Sequence, residues 1–296
     1  MRIRLRAGDK VFYIVNFIIT TVVVFIILYP LWFVLCASVS DQARVFQDPA
    51  ILLPHGYNLE SYIKTIGHKD IWIGFKNSTI YTLCGTLINL LLTVFAAYPL
   101  SRPDFTGKSI FTFILTFTMF FSGGMIPTYI VVDSLGLINS MWALIIPTAI
   151  NFTNVIIVRT YFKSSVPYEM QEAAQIDGCG NFRLLFSVII PLSTPILAVI
   201  TLYYSVGHWN SYFTALLYIY DRVKFPLQMF LRELLIQANM DSLVEFAESQ
   251  QRFEQLIQKE GMKYAIVVIS SLPFVMLFPF FQKYFSRGVM MGAIKG

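Results

Sequence analysis

The chain has 296 residues, of which 56% are hydrophobic and only 13% are charged, and its formal net charge is +5. A soluble domain usually carries about 25% charged residues, so this composition excludes a soluble globular protein and predicts one whose solvent is lipid. A basic balance also occurs in nucleic-acid-binding proteins, but a membrane protein holds its excess at the cytoplasmic ends of its spans, and we predict no nucleic-acid partner.

Six apolar segments contain no Asp, Glu, Lys or Arg. Each reaches or approaches the roughly 20 residues that a helix needs to cross a bilayer. The first follows a basic start and is about twice as long as the apolar part of a cleavable signal peptide, so it is predicted to stay as a span. The segments are Val11–Ser40, Asn77–Ser101, Ser109–Val132, Ser134–Val158, Leu184–Tyr220 and Tyr264–Gln282. The sequence therefore predicts an all-α polytopic membrane protein with six transmembrane helices.

The charges between the spans are distributed unevenly. With the N-terminus inside, the inner segments hold a basic excess and the outer segments a slight acidic one, which predicts that both termini are cytoplasmic. The domain prediction is a tail (1–10), a six-helix domain (11–287) and a second tail (288–296). Two outer segments, 41–76 and 221–263, are long, and the second has the apolar spacing of amphipathic helices. A solvated cap and a landing surface for a soluble protein remain open alternatives for it.

A polar stretch, 167–183, separates the fourth and fifth spans. Ala173 and Ala174 are strong helix formers whose small side chains allow another surface to approach the backbone closely. Gly178 is suited to end this helix, and Asn181 is suited to cap the next one. A helix-turn-helix between two spans is predicted to be a docking element.

The spacing in this stretch resembles a known signature. Glu172, Ala173 and Ala174 are followed after three residues by Gly178, and after nine more by the run Val-Ile-Ile-Pro that ends at Pro191. This is similar to the EAA loop of bacterial ATP-binding-cassette (ABC) importer permeases. Its place after the fourth of six spans resembles the MalG-like carbohydrate branch. Stretches similar to the LplC- and YtcP-like oligosaccharide and polysaccharide permeases are Phe121–Pro147, Gly207–Ile219, Phe225–Leu235 and Gly288–Gly296.

The resemblance implies a type I ABC importer permease fold in a bacterial inner membrane, and alternating access. It implies that the EAA helix couples this chain to an ATPase, through Glu169, Glu172, Ala173, Ala174, Asp177, Gly178 and Pro191. The implied partners are two ATP-binding cassette subunits, a second and non-identical permease, an extracytoplasmic solute-binding protein and membrane lipid. A second permease is expected because two ATPases need two docking helices and this chain has one.

No cofactor is predicted on this chain, and ATP with Mg²⁺ is expected on the partner ATPases. The stretch 102–109 ends like a phosphate-binding loop, but Arg102 stands where the pattern needs Gly, and the loop follows a span instead of a buried strand. Lys108 is therefore interpreted as a topology anchor. No catalytic triad or carboxylate pair is found, and the three His and three Cys have no ligand spacing, so no catalytic or metal residues are predicted.

A solute path must then be built from uncharged polar and aromatic groups, which suit sugar hydroxyls and ring faces. Polar side chains in a span usually face the bundle interior or a water-filled cavity, although bonds between helices are an open alternative. The candidates are His208, Trp209, Asn210, Ser211, Tyr212, Asn151 and Asn154. Pro191, Pro195 and Gly207 are predicted places for a bend. A permease for a non-sugar solute and a membrane-embedded glycan or lipid enzyme are the alternative functions.

Overall fold

The structure, a computed structural model, describes residues 7–47, 52–243 and 250–292, and these residues are almost entirely helical. In the described part, the one isolated bridge pairs Ser40 with Tyr57. The predicted all-α class is confirmed. Parts of both predicted tails (1–6 and 293–296) and of both long outer segments (48–51 and 244–249) lie outside the described residues.

In chain order, the helices of the described ranges are α1 (Ala7–Ser38), α2 (Gln42–Gln47), α3 (Glu60–Gly67), α4 (Lys69–Ser101), α5 (Lys108–Phe120), α6 (Met125–Ser134), α7 (Trp142–Ile145), α8 (Phe152–Ser165), α9 (Tyr168–Ile176), α10 (Asn181–Leu184), α11 (Ile190–Leu192), α12 (Thr194–Trp209), α13 (Tyr212–Tyr218), α14 (Leu227–Leu243) and α15 (Gln250–Gly292). Short 3₁₀ turns follow α7 (Ile146–Thr148) and α13 (Arg222–Lys224), and a π-helical turn (Leu185–Ile189) joins α10 to α11.

Three of the described helices are long and apolar enough to cross a membrane alone, namely α1, α4 and the Ile257–Tyr284 part of α15. Three further pairs satisfy the same test together but are bent, by 115° between α5 and α6, by 54° between Trp142–Thr148 and α8, and by 84° between Asn181–Leu192 and α12. The predicted number of six spans therefore agrees with the described helices, by length and composition, if each bent pair is one span. The long apolar stretch predicted from Leu184 to Tyr220 is divided, because α12 ends at Trp209 and α13 follows separately.

The bend before α12 occurs where prolines remove backbone donors. Pro191 lies in α11 just before it, and Pro195 lies in the first turn of α12 just after it. Gly207 lies inside α12, which continues unbroken through this residue to Trp209, so the structure shows no break at Gly207. Ser193, at the bend itself, is fully buried, and its hydroxyl has no hydrogen-bond partner among the described residues.

The chain forms two compact units, one from the described parts of 1–68 and 233–271 and the other from 69–232 and the described part of 272–296. In the first unit Cys36, Ala37 and Val45 form a small core, against which Tyr264 packs. The predicted division into two tails and one six-helix domain stays a prediction.

The second unit holds the larger core, built mainly on α4. Small or polar residues recur at every fourth position of its buried face, at Gly85, Asn89, Thr93 and Ala97. Such spacing lets helix backbones approach closely in lipid, where packing replaces the hydrophobic effect as the driving force. The largest fully buried partners come from α8 to α12 and the turns between them: Val155, Val158, Phe162, Val166, Leu184, Leu185, Ile189 and Ile200.

Candidate functional site

Six of the seven predicted coupling residues lie on α9 or directly after it, Pro191 lies in α11, and most of the seven are exposed. Glu169, Glu172, Ala173 and Ile176 are spaced three and four residues apart, so they form one stripe on one side of the helix. All four are exposed, and Ile176 exposes 87% of its surface, which is unusual for a large apolar side chain. We call these four residues the outward stripe. Its small, acidic and apolar members form a surface that another protein could cover.

The opposite side of α9 faces the core of the second unit. Gln171 is buried and its Nε2 donates to the Val166 carbonyl at 3.4 Å. Ala174 is half-buried and packs against the core cluster, as does Cys179 after the helix. The seven predicted coupling residues are therefore not equivalent, because Ala174 turns inward while the other six are exposed.

Gly178 ends α9 as predicted. Its φ of +77° lies in the left-handed region that residues with a Cβ rarely adopt. Its N–H donates to the Gln175 carbonyl, and the N–H of Cys179 donates to the Ala174 carbonyl, both at 2.9 Å. These two bonds are the Schellman motif, which satisfies the last carbonyls of a helix. The predicted cap is displaced by one residue, because α10 begins at Asn181 and Gly180 occupies the cap position.

A cavity of about 380 Å³ lies in the second unit, between α4, α8, α12 and the segments that follow α7 and α12. This volume is within the roughly 300–1,000 Å³ of small-molecule sites. Four of the predicted path residues line it, namely Asn151, Asn154, His208 and Ser211. The other lining residues are Asn89, Leu144, Thr148, Tyr203, Tyr204, Gly207 and Thr214. Among the described residues, then, the lining offers amides, hydroxyls and aromatic rings without a Lys, Arg, Asp or Glu.

A hydrogen-bonded chain crosses the cavity wall from α12 to the turn after α7. Asn89 Nδ2 donates to the Thr148 carbonyl at 2.7 Å, so Asn89 Oδ1 faces His208 Nε2 at 3.1 Å. Because an amide oxygen can only accept, His208 Nε2 is assigned the proton. Asn151 has a structural role too, since its side chain accepts from the backbone N–H of Asn154 and caps α8. These polar residues therefore make structural hydrogen bonds and also line the cavity, and their role in a solute path stays a prediction.

Gly85 on α4 leaves the space that the His208 imidazole occupies in this series of hydrogen bonds. A Cβ at position 85 would lie 2.5 Å from His208 Nε2. We expect Gly85→Ala to displace the imidazole from Asn89 and to lower the free energy of unfolding by about 1–3 kcal/mol, the usual cost of an orphaned buried polar group. Thermal unfolding of the purified protein measures this. Gly8→Ala is the control, because nothing lies within 4 Å of that Cβ position; equal melting temperatures for both variants would contradict the prediction.

The remaining predicted path residues lie outside this lining. Trp209 is buried with its ring edge-on to Phe75 at 5.6 Å and to Phe274 at 5.7 Å. Asn210 Oδ1 accepts from Gln228 Nε2 at 3.3 Å. Tyr212 is exposed and its ring lies below the guanidinium of Arg232 at 5.4 Å. These three side chains make contacts around the cavity wall without lining the cavity.

Sequence reasoning gave no path role to Tyr203 and Tyr204, which also line the cavity. Tyr203 is exposed, whereas the hydroxyl of Tyr204 bonds with that of Thr93 at 2.7 Å. Helical spacing could have predicted their position, because Tyr203 and Tyr204 lie four residues before Gly207 and His208, respectively, on the same helix. No group of three or more His, Cys, Asp or Glu side chains in the described residues could hold a metal ion.

Comparison with known proteins adds a family and close relatives. A family model described as "Binding-protein-dependent transport system inner membrane component" matches residues 2–291. The polygalacturonan/rhamnogalacturonan transport system permease protein YtcP of Bacillus subtilis is 38% identical over 269 residues, covering 90% of this chain and 92% of YtcP. Protein LplC of the same organism is 36% identical over 292 residues, covering 98% and 97%. A solved bacterial ABC transporter involved in import of the acidic polysaccharide alginate has a chain with 32% identity and a TM-score of 0.84, covering 96% of this chain and all of that one.

Proposed function

Because the chain belongs to the family of binding-protein-dependent transport system inner membrane components, we propose that it is a permease subunit of an ATP-driven importer that moves an oligosaccharide inward by alternating access. The observation that carries the proposal is the extent of the match, since the family model covers residues 2–291. The family consists of membrane subunits of transport systems, so the chain is a transport protein and not an enzyme.

A carbohydrate is the solute that the relatives and the cavity favour together. One relative is a permease for polygalacturonan and rhamnogalacturonan, and the structural neighbour imports alginate. The lining of the cavity supplies neutral donors and acceptors, and Tyr203 and Tyr204 supply aromatic faces. Such groups suit sugar hydroxyls and the C–H faces of sugar rings. Acidic oligosaccharides are therefore our first choice of solute.

The outward stripe is proposed to dock into an ATPase subunit on the cytoplasmic side, with both termini of the chain also cytoplasmic. A carboxylate of the stripe can pair with a cation of the ATPase, Ala173 permits close approach, and Ile176 offers an apolar anchor. ATP and Mg²⁺ are bound by two such ATPase subunits. A second, non-identical permease completes the membrane part, and a solute-binding protein delivers the sugar outside, where 221–263 is a proposed landing surface.

The path of the motion follows the chain from the stripe to the cavity. After α9 come the Gly178 turn, α10, the π-helical turn and the 84° bend before α12. α12 carries Tyr203, Gly207 and His208 in the cavity lining. A displacement of α9 by the closing ATPases is thereby transmitted to the cavity wall, with Pro191 at the bend.

The affinity of the partner solute-binding protein tests the solute, because specificity in importers of this kind resides largely in that protein. We expect calorimetric titration to give tight binding, with Kd about 1 μM or below, for oligogalacturonides and at least about tenfold weaker binding for glucose, a neutral monosaccharide. Tight binding of an amino acid or inorganic phosphate, without sugar binding, would contradict the carbohydrate assignment and leave a permease for another solute.

A further inference from the structure

Arg102, immediately after α4, is a charged residue that topology alone does not explain. It exposes only 5% of its surface. A buried cation is costly unless its charge is paired and its N–H groups have acceptors. A cation that merely anchored the end of a span would leave its charge in water. The partners of Arg102 therefore indicate its role.

All five N–H groups of the guanidinium have acceptors. Nε donates to Asp104 Oδ1 at 2.7 Å, Nη2 to Asp104 Oδ2 at 2.5 Å, and Nη1 to the Tyr98 hydroxyl at 3.1 Å. The Gln175 amide, oriented by its partners, places Oε1 at 2.5 Å from Nη2 and 3.2 Å from Nη1. The hydrogen bonds from Arg102 hold the pKa of Asp104 below its usual range, so this carboxylate stays ionised at neutral pH.

The acceptors belong to two different parts of the second unit. Tyr98 is on α4, whereas Gln175 is in the last turn of α9. The Tyr98 hydroxyl also donates, at 3.5 Å, to the side chain of Asn181, the first residue of α10. The end of α4 is therefore hydrogen-bonded to both sides of the turn that Gly178 makes.

We propose that Arg102 is a positioning residue that locks the coupling element to the end of α4, so that a displacement of α9 moves α4 together with α12. This inference rests on the proposed function of α9. The backbone itself connects α9 to α12, whereas α4 is joined to α9 through side chains. Among the side chains that the structure describes, the cation in this connection is Arg102, which follows α4 directly and bonds to Gln175 on α9. The cavity wall needs both helices, because Asn89 on α4 and His208 on α12 bond to each other.

The geometry requires Arg at this position. Lysine has three donors on a flexible stem and cannot present a planar fork to Asp104 while also reaching Tyr98 and Gln175. Arg102→Lys keeps the positive charge at the end of the span and removes the fork. Gln175→Leu removes the acceptor on α9 at similar volume, while Gln175→Glu keeps an acceptor. Arg159→Lys is the matched control, because the bond that Arg159 makes within the described ranges, from Nε to the Leu100 carbonyl, is one that a lysine can also make.

In the assembled complex, and without a solute, the experiment measures separately the movement transmitted from α9 to the cavity and the binding of the ATPase to this chain. An environment-sensitive fluorophore is attached at Tyr203→Cys, on the exposed tyrosine of the cavity lining, after Cys36, Cys84 and Cys179 have been replaced. Its response to ATP with vanadate reports movement at the cavity, and co-purification of the ATPase reports docking. We expect the response to fall about fivefold or more in Arg102→Lys and Gln175→Leu, with the ATPase still bound. Gln175→Glu and Arg159→Lys keep the response.

The possible results distinguish a failure of the positioning role of Arg102 from a failure of the proposed function of α9. A full response in Arg102→Lys, or loss of the ATPase from that variant, would overturn the positioning role. Absence of any response in the complex with native Arg102 and Gln175 would instead count against the proposed function. Combining Arg102→Lys with Gln175→Leu should lower the response no further than either change alone, because each breaks the same link between Arg102 and Gln175. Additive losses would show that Gln175 acts independently of Arg102, and would also overturn the inference.

Discussion

Ile176→Asp is expected to weaken binding of the ATPase subunit to this chain by about 30-fold or more, the effect of removing a hot-spot residue worth at least about 2 kcal/mol. Ile176 exposes 87% of its surface at the end of the outward stripe. Burial of such a side chain in a cleft contributes about 1.5–3 kcal/mol. The substitution removes this contribution and also forces a carboxylate to lose water in the interface. Uptake should therefore be lost along with docking.

Binding of the purified ATPase to the permease in detergent measures this effect. Ile63→Asp is a matched control, because Ile63 on α3 is 71% exposed and lies in the other compact unit. We expect Ile63→Asp to bind the ATPase as the native chain does. Equal affinities for Ile176→Asp and the native chain would remove the outward stripe from the interface.

Gly207→Phe is expected to block solute uptake by filling the cavity, with at least about a tenfold loss of transport rate, or about 1.4 kcal/mol. Gly207 lines the cavity, and nothing lies within 4 Å of the position that a Cβ would occupy. The added ring can therefore enter the cavity without first colliding with its wall. Since α12 has ordinary helical backbone at this residue, the helix itself should persist.

The matched control is Gly8→Phe in α1, where a Cβ also meets no atom within 4 Å. ATPase binding should stay at the native level in Gly207→Phe, because the outward stripe is untouched. Normal uptake in Gly207→Phe would show that the solute does not pass through this cavity.

The parts of the fold that depend on local sequence could be predicted well. Uncharged segments indicate the spans, and the order of Ala173, Ala174 and Gly178 predicts a short helix that ends in a left-handed residue. Both features follow from neighbouring residues, through lipid solvation and backbone preference. The bends of 115° and 84° could not be predicted in size, because they arise where packed elements meet.

The candidate path shows where sequence reasoning reaches its limit. The predicted path takes five consecutive residues, 208–212, together, but α12 ends at Trp209, α13 begins only at Tyr212, and neighbours within a helix point about 100° apart. His208 and Ser211, three residues apart, share the cavity with Gly207 and Tyr204. Trp209 packs between aromatic rings instead. A prediction based on helical spacing would select a different set, and the roles of all seven candidates stay predictions.

Contacts between distant residues could not be predicted at all. In the sequence, Arg102 is only a mismatch to a phosphate-binding pattern, whereas its bonds to Gln175 join residues far apart in the chain. Asn89 and His208 are likewise separated by 119 positions. Such pairs depend on how the helices pack, and this packing cannot be deduced from the spacing of residues in one sequence.

The most direct test of the transport function is ATP-driven uptake by proteoliposomes that contain this chain, its partner permease, the ATPases and the solute-binding protein. With a labelled oligogalacturonide outside, we predict accumulation that requires ATP on the ATPase side, stops with vanadate and is lost in Ile176→Asp. Uptake that continues without ATP, or that is unchanged in Ile176→Asp, would contradict the claim that this chain converts motion of the ATPases at α9 into import of a sugar.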